Sequence, residues 1–181
     1  MEIRRVVTGH SRDGKATVVE DGRPPRTRSF QSIPGMRATL AWGTEHGGPI
    51  PLDAADPTPS ATSFLPGPGC TRLLVMQFPP DSVYANGDFD PSAAAAENLE
   101  VVPGIAEKFE PDAPGMHTTD SVDYGIVLEG EPVLELDDGQ TKSLKPGDIV
   151  IQNGTRHAWR NPTDRPATMA FVLVGAERGQ S

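Results

Sequence analysis

A chain of 181 residues with a formal net charge of -9 holds one domain at about 150 residues per domain, and its acidity disfavours phosphate backbones and anionic lipid surfaces, so neither nucleic acid nor membrane is an expected partner. Apolar residues make up 36% and aromatic residues 6%, with 19 Gly and 19 Pro; that mixture fits many short strands joined by turns. No apolar run approaches the roughly 18 residues of a membrane span, no signal-peptide core follows Met1, and Cys70 stands alone, so no intrachain disulfide can form and a cytoplasmic location is expected.

Residues 3–20 read as a β-hairpin, with Val6 and Val7 before, and Ala16 to Val19 after, a Ser11-Arg12-Asp13-Gly14 turn. Asp21-Gly22-Arg23-Pro24-Pro25 is then an extended linker, because each Pro fixes φ and biases its predecessor away from helix. Met36, Ala38, Leu40 and Trp42 alternate with Arg37, Thr39 and Ala41, the period of a half-buried strand. Residues 43–70 are dense in Gly, Pro, Asp and Ser and form a loop too long for an ordinary connection, either a cover over the remainder of the fold or a mobile segment. Cys70 lies at its end, a poor candidate for a nucleophile in turn sequence.

Leu73 to Phe78 is a strand ended by Pro79-Pro80. One short helix is expected, with Asp90 as its cap, Pro91 at its first position and Ala93 to Asn98 in its body. From Val122 onward the pattern is β throughout. Tyr124–Leu128, Val133–Leu136, Ile149–Gln152, His157–Asn161 and Ala167–Val174 are strand-length, and turn signals separate them. Such spacing argues for an all-β sandwich or barrel. The chain thus divides into an N-terminal hairpin, arm and loop over 1–70, a barrel over 71–175 and a flexible tail over 176–181.

Two segments carry the chemistry. The first runs Gly115-Met116-His117-Thr118-Thr119-Asp120-Ser121-Val122-Asp123-Tyr124 and closes at Gly130; the second runs from Gly147-Asp148 through Gly154-Thr155-Arg156-His157-Ala158-Trp159-Arg160-Asn161. Two imidazoles and a carboxylate on one face, with open positions, suit non-heme iron or a similar divalent ion. If His157 faces inward, strand alternation puts Trp159 and Asn161 beside it; if Asp123 does, Gly125 and Val127 share its side. Gly125 either leaves room for a ligand or accommodates barrel curvature. Asn161 beside Pro162 reads as a turn-former, Arg156 and Arg160 as solvated charges or a lure for an anion. His10 and His46 fall in turn and loop, away from any ligand-spaced neighbour.

These segments resemble the paired motifs of the cupin superfamily, G-x5-H-x-H-x3–4-E-x6-G and G-x5-P-x-G-x2-H-x3-N. His117 matches the first His, Thr119 stands where the second would be, Asp123 at the Glu and Gly130 at the closing Gly. Gly147, Gly154, His157 and Asn161 match the second motif, with one residue fewer before Gly154 and no Pro in the turn. The pattern is similar to single-domain cupins with an His-x-Thr first motif, among them cupin-domain oxidoreductases of fungal polyketide-type clusters and uncharacterised bacterial conserved-barrel proteins. The resemblance implies a double-stranded β-helix (a jelly-roll barrel). It implies one divalent ion, Fe, Mn or Zn, on His117, Asp123 and His157, with a metal-free binding barrel as the alternative.

A substrate pocket is expected from Met116, Thr119, Gly125, Val127 and Trp159. The implied activity is a metal-dependent oxidoreductase or oxygenase acting on a small aromatic or polyketide-like molecule. A metal-dependent lyase or dehydratase is the other enzymatic reading, and a binder without catalysis the non-enzymatic one. No single catalytic residue is assigned. A homodimer is expected, because the N-terminal hairpin and the 36–42 strand exceed what one small barrel needs.

Overall fold

Every strand pair among the described residues is antiparallel, some between consecutive strands and others between strands distant in sequence. The computed structural model describes residues 1–46 and 55–179. Strands β1 (Arg5–His10) and β2 (Ala16–Gly22) make the expected hairpin, a two-stranded sheet of its own. Arg5 anchors it to the rest of the chain. Its guanidinium donates to the Ala41 carbonyl (2.9 Å) and to Asp56 (2.7 Å), pairs with Glu20, and lies over the Trp42 ring.

The stretch read as linker runs into a short strand, β3 (Thr27–Ser29), paired with β4 (Arg37–Thr44). Three residues are too few to show a period, so pairing with β4 rather than local pattern makes the strand. After β5 (Thr71–Phe78) comes helix α1 (Pro91–Val101). The Asp90 carboxylate accepts from the Ser92 and Ala93 backbone N–H groups at 2.8 and 3.1 Å, satisfying two donors that the first helical turn leaves free. The helix buries Ala94 and Val101.

Strands β6 (Ser121–Glu129), β7 (Val133–Glu135), β8 (Thr141–Ser143), β9 (Ile149–Asn153), β10 (Ala158–Arg160) and β11 (Ala167–Gly175) complete the molecule. β8, in Thr-Lys-Ser, is exposed throughout and exists through its pairing with β7. Six strands in the order β3-β4-β5-β11-β6-β9 form one wall and three in the order β10-β7-β8 the other. Leu40, Leu74, Val127, Leu134, Leu144, Met169, Phe171 and Leu173 from both walls meet in one buried cluster. Removing such surface from water stabilises by about 25 cal/mol per Å² and is what closes the roll.

Residues 47–54 of the expected cover lie outside the described residues. Its C-terminal part is packed: Phe64 is 1% exposed in the main core, and its N–H donates to Pro103 O at 2.8 Å. The tail is tied down further than expected. Ala176 N–H donates to Asp120 O, and Arg178 bonds Asp120 Oδ1 and Thr119 O.

Candidate functional site

His117 and His157, forty residues apart, face each other directly. The His117 N–H donates to His157 O at 2.9 Å and the His157 N–H returns the bond to His117 O at 3.0 Å, an isolated antiparallel bridge beyond the end of β10. Directly opposed residues project to the same face, and the two rings lie 4.3 Å apart between centroids. Gly154, at φ 62°, lets the β9–β10 turn come in close: a Cβ there would lie 3.3 Å from Thr119 O.

Each ring is held by its neighbouring backbone. His117 Nδ1 lies 3.0 Å from Gly115 O and His157 Nδ1 lies 2.9 Å from Thr155 O. A carbonyl only accepts, so each Nδ1 carries the hydrogen and each Nε2 keeps its lone pair. This is the second-layer arrangement that fixes the tautomer of a metal-ligating imidazole. Burial pushes the pKa of His117 down against the raising influence of Gly115 O and Glu110. Burial, with the neighbouring His117, pushes that of His157 down to about 4. Both rings are therefore neutral near pH 7, with an unprotonated Nε2. Phe109 meets His117 edge-on at 5.3 Å, and Trp159 packs between His157 (5.7 Å) and Phe171 (5.4 Å).

Asp123 is buried on β6 and, as alternation requires once it faces inward, Ser121, Gly125 and Val127 are buried on its side while Tyr124 and Leu128 are exposed on the other. Burial raises its pKa, opposed by the Ser121 and Thr119 hydroxyls. Its Oδ1 is buried and has no hydrogen-bond partner. Opposite it on β9 stands Gln152, 4% exposed, whose Oε1 accepts from the Thr155 hydroxyl at 2.9 Å while its Nε2 has no partner.

The two imidazoles suit a divalent ion as a pair. The expected third donor does not join them: among the described residues no three His, Cys, Asp or Glu side chains group closely enough to hold an ion. The short Asp123 side chain stays at the β6 wall beside two hydroxyls, where a Glu would reach one methylene further.

The remaining pocket residues divide. Met116, Thr119 and Val127 are buried, at 4%, 3% and 2% exposure. The space left by Gly125 is taken up by packing, since a Cβ there would lie 3.2 Å from the Phe171 ring and 3.4 Å from the Met169 methyl. Arg156 is paired with Glu110 and Asp137, and Arg160 with Glu135, so neither is a free lure for an anion. His10 and His46 are exposed. Cys70 is buried, its thiol 3.3 Å from Glu45 Oε2. Gln152 and Phe109 were not legible as site residues. For Gln152 a signal existed, since it stands at the place of the turn Pro in the second motif; Phe109, in irregular chain, left none.

Residues 107–174 match the family described as the Cupin domain. The chain carries a cupin domain. Curated relatives similar to parts of this chain include "Phomopsin biosynthesis cluster protein D" of Diaporthe leptostromiformis, 40% identical over 92 residues, covering 50% of this chain and 45% of that one. "Cupin-domain-containing oxidoreductase fogC" of Aspergillus ruber is 34% identical over 102 residues, covering 52% and 50%. The chain spans about half the length of these two relatives. Among solved structures, a Cupin 2 conserved barrel domain protein from Salinispora arenicola is 17% identical with a TM-score of 0.41, covering 82% of this chain and 87% of that one. No helix among the described residues is long and apolar enough to cross a membrane.

Proposed function

We propose that this cupin is an oxidoreductase acting on a small organic molecule inside its barrel, with one divalent ion held by His117 and His157. The imidazole pair carries the proposal: two neutral rings lie 4.3 Å apart, tilted by 48°, each Nδ1 tied to a backbone carbonyl. Bound there, an ion supplies Lewis-acid or one-electron chemistry with open positions for water and substrate. The chain's own residues do the rest. Gly115 O and Thr155 O hold the hydrogen on each Nδ1 and so keep both Nε2 lone pairs free for a ligand. Phe109, Trp159 and Phe171 provide an aromatic wall that suits a flat, apolar substrate of aromatic or polyketide-like type. The similarity to proteins named as cupin-domain oxidoreductases supports the redox class over a lyase or dehydratase, which would use the same two rings.

A metal-free binding barrel is the second reading. It is favoured by Asp123 standing apart from the pair and by Thr119 at the second His position. Elemental analysis of protein purified without chelators tests the choice. Near-stoichiometric Fe, Mn or Zn in the wild type, reduced at least tenfold in His157→Ala, is the expected result. A wild type without metal would leave the binding barrel.

A further inference from the structure

Two unpartnered polar atoms sit across from one another in the barrel wall. Asp123 and Gln152 are register partners of β6 and β9, so both side chains project inward and their backbones are neighbours. Asp123 is 6% exposed and Gln152 4%. Asp123 Oδ1 offers an acceptor and Gln152 Nε2 a donor, and neither is satisfied by the other or by any group of the described chain. Buried polar atoms are almost always paired, and an orphan costs more than an ordinary hydrogen bond returns. Gln152 is also oriented: the Thr155 hydroxyl occupies its Oε1, which leaves the buried N–H₂ end as the unpartnered one.

A cavity of about 360 Å³, walled by Leu65, Pro66, Lys108, Asp120, Ser121 and Arg178, adjoins this end of β6. Ser121 belongs to that wall and also donates to the Thr119 hydroxyl at 3.0 Å, two residues from Asp123 on the same face. The cavity thus reaches the β6 residue two positions before Asp123 on the same face.

We propose that Gln152 and Asp123 are a specificity-determining pair that grips one end of the bound molecule. The Gln152 Nε2–H donates to a carbonyl oxygen of the ligand, and Asp123 Oδ1 accepts from an N–H or O–H on the neighbouring ligand atom. The pair selects neutral molecules with a donor and an acceptor side by side, as in an amide or lactam, and rejects carboxylates, whose two oxygens both accept. The assignment rests on the barrel interior being the binding site and does not require an ion.

The test is NMR titration of the full-length, chelator-treated protein with benzamide, N,N-dimethylbenzamide, acetophenone and benzoate. Benzamide is expected to bind about tenfold more tightly than each of the others, because only it satisfies both orphans. Gln152→Met, close to Gln in shape but without the donor, should weaken benzamide about tenfold. If that variant does not fold, the ligand series on the wild type decides alone. The proposal is overturned if the wild type binds benzamide no better than acetophenone, if none of the four binds, or if folded Gln152→Met binds benzamide as the wild type does. Metal analysis keeps the two readings apart: absence of metal with selective benzamide binding overturns the ion and leaves the pair, and the reverse result does the opposite.

Discussion

Replacing Asn161 by Ala should destabilise the barrel by about 3 kcal/mol, although the residue lies outside any regular strand. Asn161 is 1% exposed. Its Nδ2 donates to Arg165 O at 2.7 Å and Phe78 O at 3.3 Å, and its Oδ1 accepts from the Thr163 hydroxyl at 2.7 Å and the Thr163 N–H at 3.3 Å. The two short bonds contribute about 1–1.5 kcal/mol each net, and a buried carbonyl left short of its donor adds a similar penalty. Arg165 O retains a bond from the Thr163 hydroxyl, which keeps the sum from rising further. Backbone bonds between Asn161 and Asp81 survive the substitution, so the damage is confined to the loop joining β10 to β11. Urea denaturation of wild type and Asn161→Ala measures the difference directly; for a chain of this size about 3 kcal/mol lowers Tm by roughly 6–12 °C. Asn161→Asp should not rescue, because it keeps the two acceptor bonds and loses both donors beside Asp81. A loss below about 0.5 kcal/mol for Asn161→Ala would refute the account of this residue as the lock on the loop.

Three further outcomes are open to measurement. His157 titrates at about 4 in the folded chain against an ordinary 6.5, so the unfolded chain takes up the proton first and stability falls as pH drops from about 6.5 toward 4. The loss is roughly 3 kcal/mol at about 1.36 kcal/mol per pKa unit. Asp123, whose pKa burial raises, works in the opposite direction, so urea midpoints at pH 7.5 and 4.5 are compared between wild type and His157→Gln; the acid loss should shrink in the variant. Gly125→Val should cost about 2 kcal/mol through overpacking against Phe171 and Met169, read by thermal melting, and a neutral result would show that the space beside Gly125 is free. Arg5→Met removes the hook of the hairpin and leaves Asp56 short of its partner. It should cost about 2 kcal/mol and speed proteolysis within residues 1–22 while the barrel core stays resistant.

Local chemistry alone determined much of this protein. The β1–β2 turn, the Asp90-Pro91 helix start and the alternation in β4 and β6 were legible because each depends on residues within a few positions: a glycine with positive φ, a side-chain cap, a period of two. The β-rich architecture and the sharing of one side by Asp123, Gly125 and Val127 followed from the same periodicity. Tertiary structure decided what spacing could not. β3 and β8 are strands only because a neighbour supplies their bonds. Gly125 is filled by two side chains distant in sequence. Arg156 and Arg160, free charges on paper, are neutralised by Glu110, Asp137 and Glu135. The motif placed His117, Asp123 and His157 in one set, and the fold brought two of them together. Side-chain reach and the hydroxyls of Thr119 and Ser121 hold the carboxylate at the wall, opposite Gln152, because a register between two strands is a property of the sheet and not of either strand.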